Sequence, residues 1–158
     1  MWQYVEREGF LYIGQELLLD TIEAPGWLMA VSGYFKGSLD GKYVRIHVEI
    51  DGPDRAFPID FMLEGVKEFG LTMPINFGGY VTRYDDTEKI YVGCLTPNPP
   101  IPFCRRFQIR LIPPAAPVEE PTPVPIQYHA CYILAKVIDR DEFMRSLHEL
   151  LGSHAAGR

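Results

Sequence analysis

Alternation with a period of two is the feature that most constrains this chain. Between Tyr43 and Ile50, the residues Val44, Ile46, Val48 and Ile50 fall on one side of an extended backbone, and Tyr43, Arg45, His47 and Glu49 on the other. A helix would scatter these side chains round its axis, whereas a strand sorts them into an apolar face and a wet one. The same pattern recurs over 2–6, 16–22, 27–36, 56–61, 80–84, 89–95, 103–112 and 126–137. Turn-forming runs such as Ala24-Pro25-Gly26 and Asp51-Gly52-Pro53-Asp54 separate the segments, and 14 Gly with 14 Pro in 158 residues leave little room for long helices. Eight or nine short, half-buried strands predict a mainly β fold, an antiparallel β-sandwich of jelly-roll type.

Two stretches depart from the alternation. Asp60 can cap and Gly70 can stop a short helix over 60–70, with Gly65 weakening its interior. The second stretch is stronger: Asp139 is placed as the cap with Glu142 three residues on, and Ile138 and Phe143 take the staple positions. Phe143, Met144, Leu147, Leu150 and Leu151 then line up as an apolar stripe, and Gly152 ends the helix. A helix of about twelve residues is marginal alone and has to dock that stripe on something.

Ahead of it lies 113–125, with Pro113, Pro114, Pro117, Pro121, Pro123 and Pro125. Proline lacks the N–H that a sheet interior needs and favours extended polyproline II, so the segment predicts an arm spanning on the order of 40 Å. Two readings are open: a solvent-exposed linker or long loop crossing the protein's own surface, or an arm that delivers 126–151 to a neighbouring subunit. The expected organisation is a sandwich over 1–112, the arm over 113–125, a strand and amphipathic helix over 126–152 docking on their own or a neighbouring sandwich, and a tail over 153–158.

Composition narrows the function classes. At 47% hydrophobic and 13% aromatic the chain carries enough apolar material for a core, which excludes disorder as the dominant state. A net charge of −6 argues against a direct nucleic-acid partner. No apolar run approaches the roughly 18 residues of a membrane span, and the first residues lack the layout of a signal peptide, so neither a membrane nor an export route is expected. Cys94, Cys104 and Cys131 form an odd set without a C-x-x-C pair, which fits neither a disulfide scaffold nor a zinc site. Parity sets Cys94 and Cys104 on opposite strand faces, and three free, mostly buried thiols are expected.

Catalytic motifs are missing: there is no G-x-S-x-G elbow, no Walker loop and no G-x-G-x-x-G. His47 and Glu49 share a strand face and would supply two metal ligands, with His129 a third if its strand pairs nearby. That is the basis of a cupin-like metal-enzyme reading, although the cupin pattern of two histidines one residue apart fails at its first pair. An exposed His and Glu on a solvated strand is the simpler reading, and no cofactor or metal is expected. Asp51, Asp54, Asp85, Asp86 and Glu88 lie in turns, where Asp bonds its own backbone. Arg105 and Arg106, joined by Arg110, make a basic patch suited to bidentate pairing at an interface. Most aromatics belong in a core, and an exposed aromatic face would stack sugar rings.

Val81-Thr82-Arg83-Tyr84-Asp85-Asp86, Ile90-Tyr91-Val92-Gly93, Phe103-Cys104-Arg105-Arg106-Phe107-Gln108-Ile109 and the run from Gly26 to Phe35 together resemble small jelly-roll virion proteins of tailed bacteriophages, such as capsid decoration and tail-accessory proteins. The resemblance covers roughly residues 10–112 and lies in general character, so no functional position is carried over, and fold does not fix function. It implies a trimer or larger ring that reaches its neighbours through extended arms, in a virion assembled in the host cytoplasm. The expected function is thus a non-enzymatic virion structural protein, a homo-oligomer covering or bridging other capsid or tail subunits. Its expected contacts are Pro117, Pro121, Pro123 and Pro125 on the arm, Phe143, Leu147, Leu150 and Leu151 on the helix, and Arg105 and Arg106. A glycan-binding β-sandwich is the alternative, and a cupin-like metal enzyme the third reading.

Overall fold

Among the residues described by the computed structural model (2–52, 59–62, 64, 77–136, 141, 144, 145, 147–149 and 151), ten strands follow one another. They are β1 (Trp2–Leu11), β2 (Leu17–Ile22), β3 (Gly26–Lys36), β4 (Arg45–Ile50), β5 (Ile59–Met62), β6 (Phe77–Asp85), β7 (Ile90–Pro97), β8 (Ile101–Phe103), β9 (Phe107–Ile112) and β10 (Ile126–Lys136). The larger sheet runs β1-β10-β3-β7-β6, and the smaller runs β2-β9-β4-β5. Every pairing is antiparallel. β7 and β8 lie end to end along β3: Ile90 to Leu95 face Lys36 to Val31, and Ile101 to Phe103 face Leu28 to Gly26.

The two sheets close on one core because alternation gives each an apolar face. Leu28, Val31, Phe35, Tyr91 and Leu95 come from the larger sheet, and Ile46, Val48, Phe107, Ile109 and Leu111 from the smaller; all are fully or almost fully buried. Phe107 on β9 packs its ring 5.2 Å from Tyr132 on β10, bridging the layers. Gly33 sits where the sheets approach closely, since a Cβ there would lie 2.8 Å from Ile46 Cδ1. Each fully buried Phe or Leu contributes on the order of 2 kcal/mol, which makes this interior the main stabilising term. One side of the layers is tied by Asp20 on β2, which accepts from Tyr132 Oη at 2.8 Å and from the Arg7 guanidinium of β1 at 3.1 Å.

Several expectations change. β1 continues past residue 6 to Leu11, because Glu6, Arg7 and Glu8 pair through their backbones with Cys131, Ala130 and His129; an edge strand tolerates charges that an interior one would not. The segment expected as one strand over 103–112 divides into β8 and β9, with a tight turn at Cys104, Arg105 and Arg106. A 3-10 turn, Leu39–Tyr43, follows Ser38, whose side chain accepts from the Asp40 N–H. Residues 60–62 belong to β5 and pair with β4, so Asp60 does not begin a helix there. Glu64 is helical, and the rest of 63–70 lies outside the described residues, as do Asp139, Glu142, Phe143, Leu150 and Gly152. Asp141, Met144, Arg145, Leu147, His148, Glu149 and Leu151 are helical.

The largest correction concerns the domain boundary. β10 inserts between β1 and β3 of its own chain, ten registered pairs on each side, so residues 1–112 lack an interior strand and the sheet unit spans 2–136. The Pro-rich segment accordingly folds back over its own sheets, the first of the two readings. Its prolines keep it out of any ladder, while the N–H groups it retains between them are gathered by a buried carboxylate.

Candidate functional site

The densest set of polar contacts holds that strap. Asp40, fully buried, accepts from three successive backbone N–H groups, those of Val118 (3.2 Å), Glu119 (2.7 Å) and Glu120 (3.4 Å). Successive amides converging on one oxygen pair form an anion-binding concavity, filled here by the protein's own side chain. Glu120 returns the contact by accepting from Leu39 N–H (2.9 Å) and Lys89 Nζ (2.8 Å), and these two donors hold its carboxyl below the usual carboxylate range. Beside it, the buried Lys42 ammonium lies 2.7 Å from Asp86 and 2.6 Å from Glu119, over the rings of Tyr43, Tyr84 and Tyr91. Burial works against its charge, but the hydrogen bonds that it donates to Asp86 and Glu119 outweigh burial and push the ammonium above its ordinary range. A lysine held charged in this way is a tie between segments rather than a nucleophile. Tyr91 donates to Asp86 (2.7 Å) and Tyr84 to Glu64, so the turns after β3 and β6 and the strap share one network.

A second carboxylate repeats the device. Asp51, at φ 56°, accepts from the N–H groups of Cys104 (2.9 Å), Arg105 (2.7 Å) and Arg106 (3.0 Å), pinning the turn that carries the chain from one sheet to the other. Aspartate tolerates this left-handed backbone better than most residues. Burial raises its carboxyl, yet the three amides and the Arg105 guanidinium outweigh that and leave it below the usual range.

The outer face of the larger sheet has a different character. Strand pairing sets Glu8, His129, Tyr34 and Val92 in one row across β1, β10, β3 and β7. The next row holds Glu6, Cys131, Ser32 and Cys94, and the row on the other side Phe10, Gln127, Lys36 and Ile90. A shallow open depression of about 260 Å³ lies over these rows. Tyr4 and Phe10 stand exposed on its β1 side, Tyr4 donating to Glu6, and the Ser32 hydroxyl meets the Cys131 thiol. His129 Nε2 lies 3.8 Å from Glu6.

The residues singled out in the sequence do not converge. Pro121, Pro123 and Pro125 are exposed along the strap and Pro117 is half-buried. Leu147 is half-buried and Leu151 exposed, while Phe143 and Leu150 lie outside the described residues. Arg106 pairs with Glu49 at 3.3 Å, and Arg105 is exposed with its guanidinium 3.3 Å from the Asp51 carbonyl, so this patch is tied largely within the chain. His47 projects from the outer face of the smaller sheet and His129 from that of the larger, so strand parity keeps the two on opposite sides and no common metal can join them. Among the described residues, no group of three His, Cys, Asp or Glu side chains is arranged to hold a metal. None of the three cysteines is in a disulfide, but Cys104 is exposed in the turn between β8 and β9, and Cys94 and Cys131 are half-buried on the strand faces turned away from the core, a correction to the expectation of mostly buried thiols. Asp85 does serve its own turn, accepting from Thr87 and Glu88, whereas Asp51 and Asp86 reach other segments.

No protein-family model matches the chain, and no curated protein matches it. Among the described residues, no helix is long and apolar enough to cross a membrane. The reading of function therefore rests on architecture and surface alone.

Proposed function

We propose that the ten strands form a jelly roll and that the protein is a non-enzymatic structural subunit of a virion, a trimer or larger ring that covers or bridges other capsid or tail subunits. In support, β1-β10-β3-β7 facing β2-β9-β4-β5 is the strand order of two interleaved Greek keys, with β6 and β8 as additions at the sides. The observation that carries the subunit role is apolar surface left in water. Met144 is 41% and Leu151 59% exposed, with Leu147 between them at helical spacing, and Trp2 is 67% exposed on β1. A C-terminal amphipathic helix laid on a neighbouring subunit would cover this stripe. The strap serves that role indirectly, by fixing where the chain enters β10, the strand that leads to the helix.

Molar mass by light scattering tests the reading on three proteins: the full chain, a Leu147→Asp/Leu151→Asp variant, and a chain ending at Lys136, which keeps all ten strands. A discrete trimer or ring for the first, with folded monomers for the other two, is the expected result. A monomeric full chain overturns the proposal. Loss of β-sheet circular dichroism in the double variant places the stripe in the protein's own core and overturns the interface.

A further inference from the structure

The depression on the outer face of the larger sheet is not used by the subunit role, and its chemistry is specific. We infer that it is a binding site for a neutral carbohydrate, seated over the row Glu8–His129–Tyr34 with its ring against Tyr4 and Tyr34.

Four observations lead there. First, the depression spans four adjacent strands, from the edge strand β1 through β10 and β3 to β7, so its floor is β-sheet rather than a loop. Strands about 4.8 Å apart set polar side chains at the spacing of hydroxyl groups round a sugar ring. Second, Glu8, Tyr34 and Gln127 have no polar partner among the described side chains, although each borders the same depression. Together they offer a carboxylate acceptor, a hydroxyl that donates and accepts, and an amide that does both. A polyol, whose every hydroxyl donates and accepts, matches that mixture. A flat apolar ligand would leave it unsatisfied.

Third, the aromatic rings stand beside these polar groups rather than in a separate patch. Tyr4 and Phe10 are more than half exposed, and Tyr34 is half-buried between them and Val92. An aromatic face next to carboxylate and amide groups suits the C–H face and hydroxyl edge of one pyranose. Fourth, the charge selects. Glu8 lines the depression with Glu6 beside it, His129 in the same row faces Glu6 at 3.8 Å, and Lys36 lies one row away, so a phosphate ester or a sugar acid meets two carboxylates beside whatever positive charge the face offers. The volume of about 260 Å³, open to solvent, admits one or two rings of a longer chain rather than enclosing a free ligand. The inference is independent of oligomeric state, since none of these residues belongs to the Met144/Leu147/Leu151 stripe.

The test is a glycan array carrying α- and β-glucans, chitooligosaccharides, galactose- and mannose-terminated glycans and sialylated glycans, probed with the full chain. Any neutral binder is then followed by saturation-transfer NMR. The expected result is binding of at least one neutral class, weakened about tenfold by Glu8→Ala and by Gln127→Ala, the loss of roughly one charged or multiple hydrogen bond. Both positions are exposed, so the fold survives the change, and Tyr4→Ala should abolish transfer to the ring C–H protons. Silence across the neutral classes overturns the inference, as does binding confined to sialylated glycans. A neutral glycan that binds Glu8→Ala, Gln127→Ala and the parent protein alike overturns the placement.

Discussion

Asp40 and Asp51 use one device in two surroundings. Each collects three successive backbone N–H groups from a distant segment, 78 to 80 residues away for Asp40 and 53 to 55 for Asp51. Asp40 is sealed under the strap it holds, next to the Lys42 network, whereas Asp51 lies half-open at the turn between the sheets. The difference teaches what a carboxylate anchor is worth when water can replace it. At Asp51 solvent stands ready to satisfy the amides, while at Asp40 nothing else can.

Asparagine at each position breaks the comparison most directly, since it keeps shape and, at residue 51, the tolerance of left-handed backbone. Asp40→Asn should cost about 3 kcal/mol, because it turns an amide toward buried N–H donors and strands them. The midpoint of urea unfolding reads this, and a cost under about 1 kcal/mol would mean that the strap is held by Glu119 and Glu120 instead. Asp51→Asn should cost about 1 kcal/mol in the same assay, with solvent screening most of the lost charge. Equal losses at both positions would remove the distinction between sealed and open anchors.

Acid sharpens the contrast by a smaller amount. Asp51 titrates below its ordinary value of 3.8 in the folded protein, so its contribution is complete above that pH. It drains away as pH falls through the folded value, where the unfolded chain is already protonated. Asp51→Asn should therefore flatten the decline of stability below about pH 4, measured as the slope of unfolding free energy against pH. An unchanged slope would show that Asp85 and Glu120, whose carboxyls are also held low, carry the acid response between them.

The strands were legible because alternation is a local property: Val44, Ile46, Val48 and Ile50 announce a buried face without reference to any partner. The anchors were not. Ser38-Leu39-Asp40-Gly41 reads as a turn, and nothing near Asp40 says that its carboxylate belongs to Val118, Glu119 and Glu120. Lys42 is hidden for the same reason, since its two carboxylates and the rings of Tyr84 and Tyr91 come from segments that only the fold brings together. Prolines in 113–125 say that the segment stays out of the sheets, but they leave open where it goes and which side chain gathers its N–H groups. The outer-face row is half visible: Glu6 and Glu8 share the parity of Tyr4 and Phe10 in the sequence, yet Tyr34 and His129 join them only through the place of β10.

That place has a consequence for how the protein is made. A ribosome delivers β1 and β3 long before β10, and until then their facing edges bracket an empty slot in the sheet. Pairings this distant in sequence form slowly and late, so the nascent chain has to wait through the strap before its middle can be filled. A product that stops short of residue 126 keeps two open edges and no way to close them. The sheet cannot close until the chain has been made through Lys136, and a cell's quality control receives a clear signal from every product that stops before it.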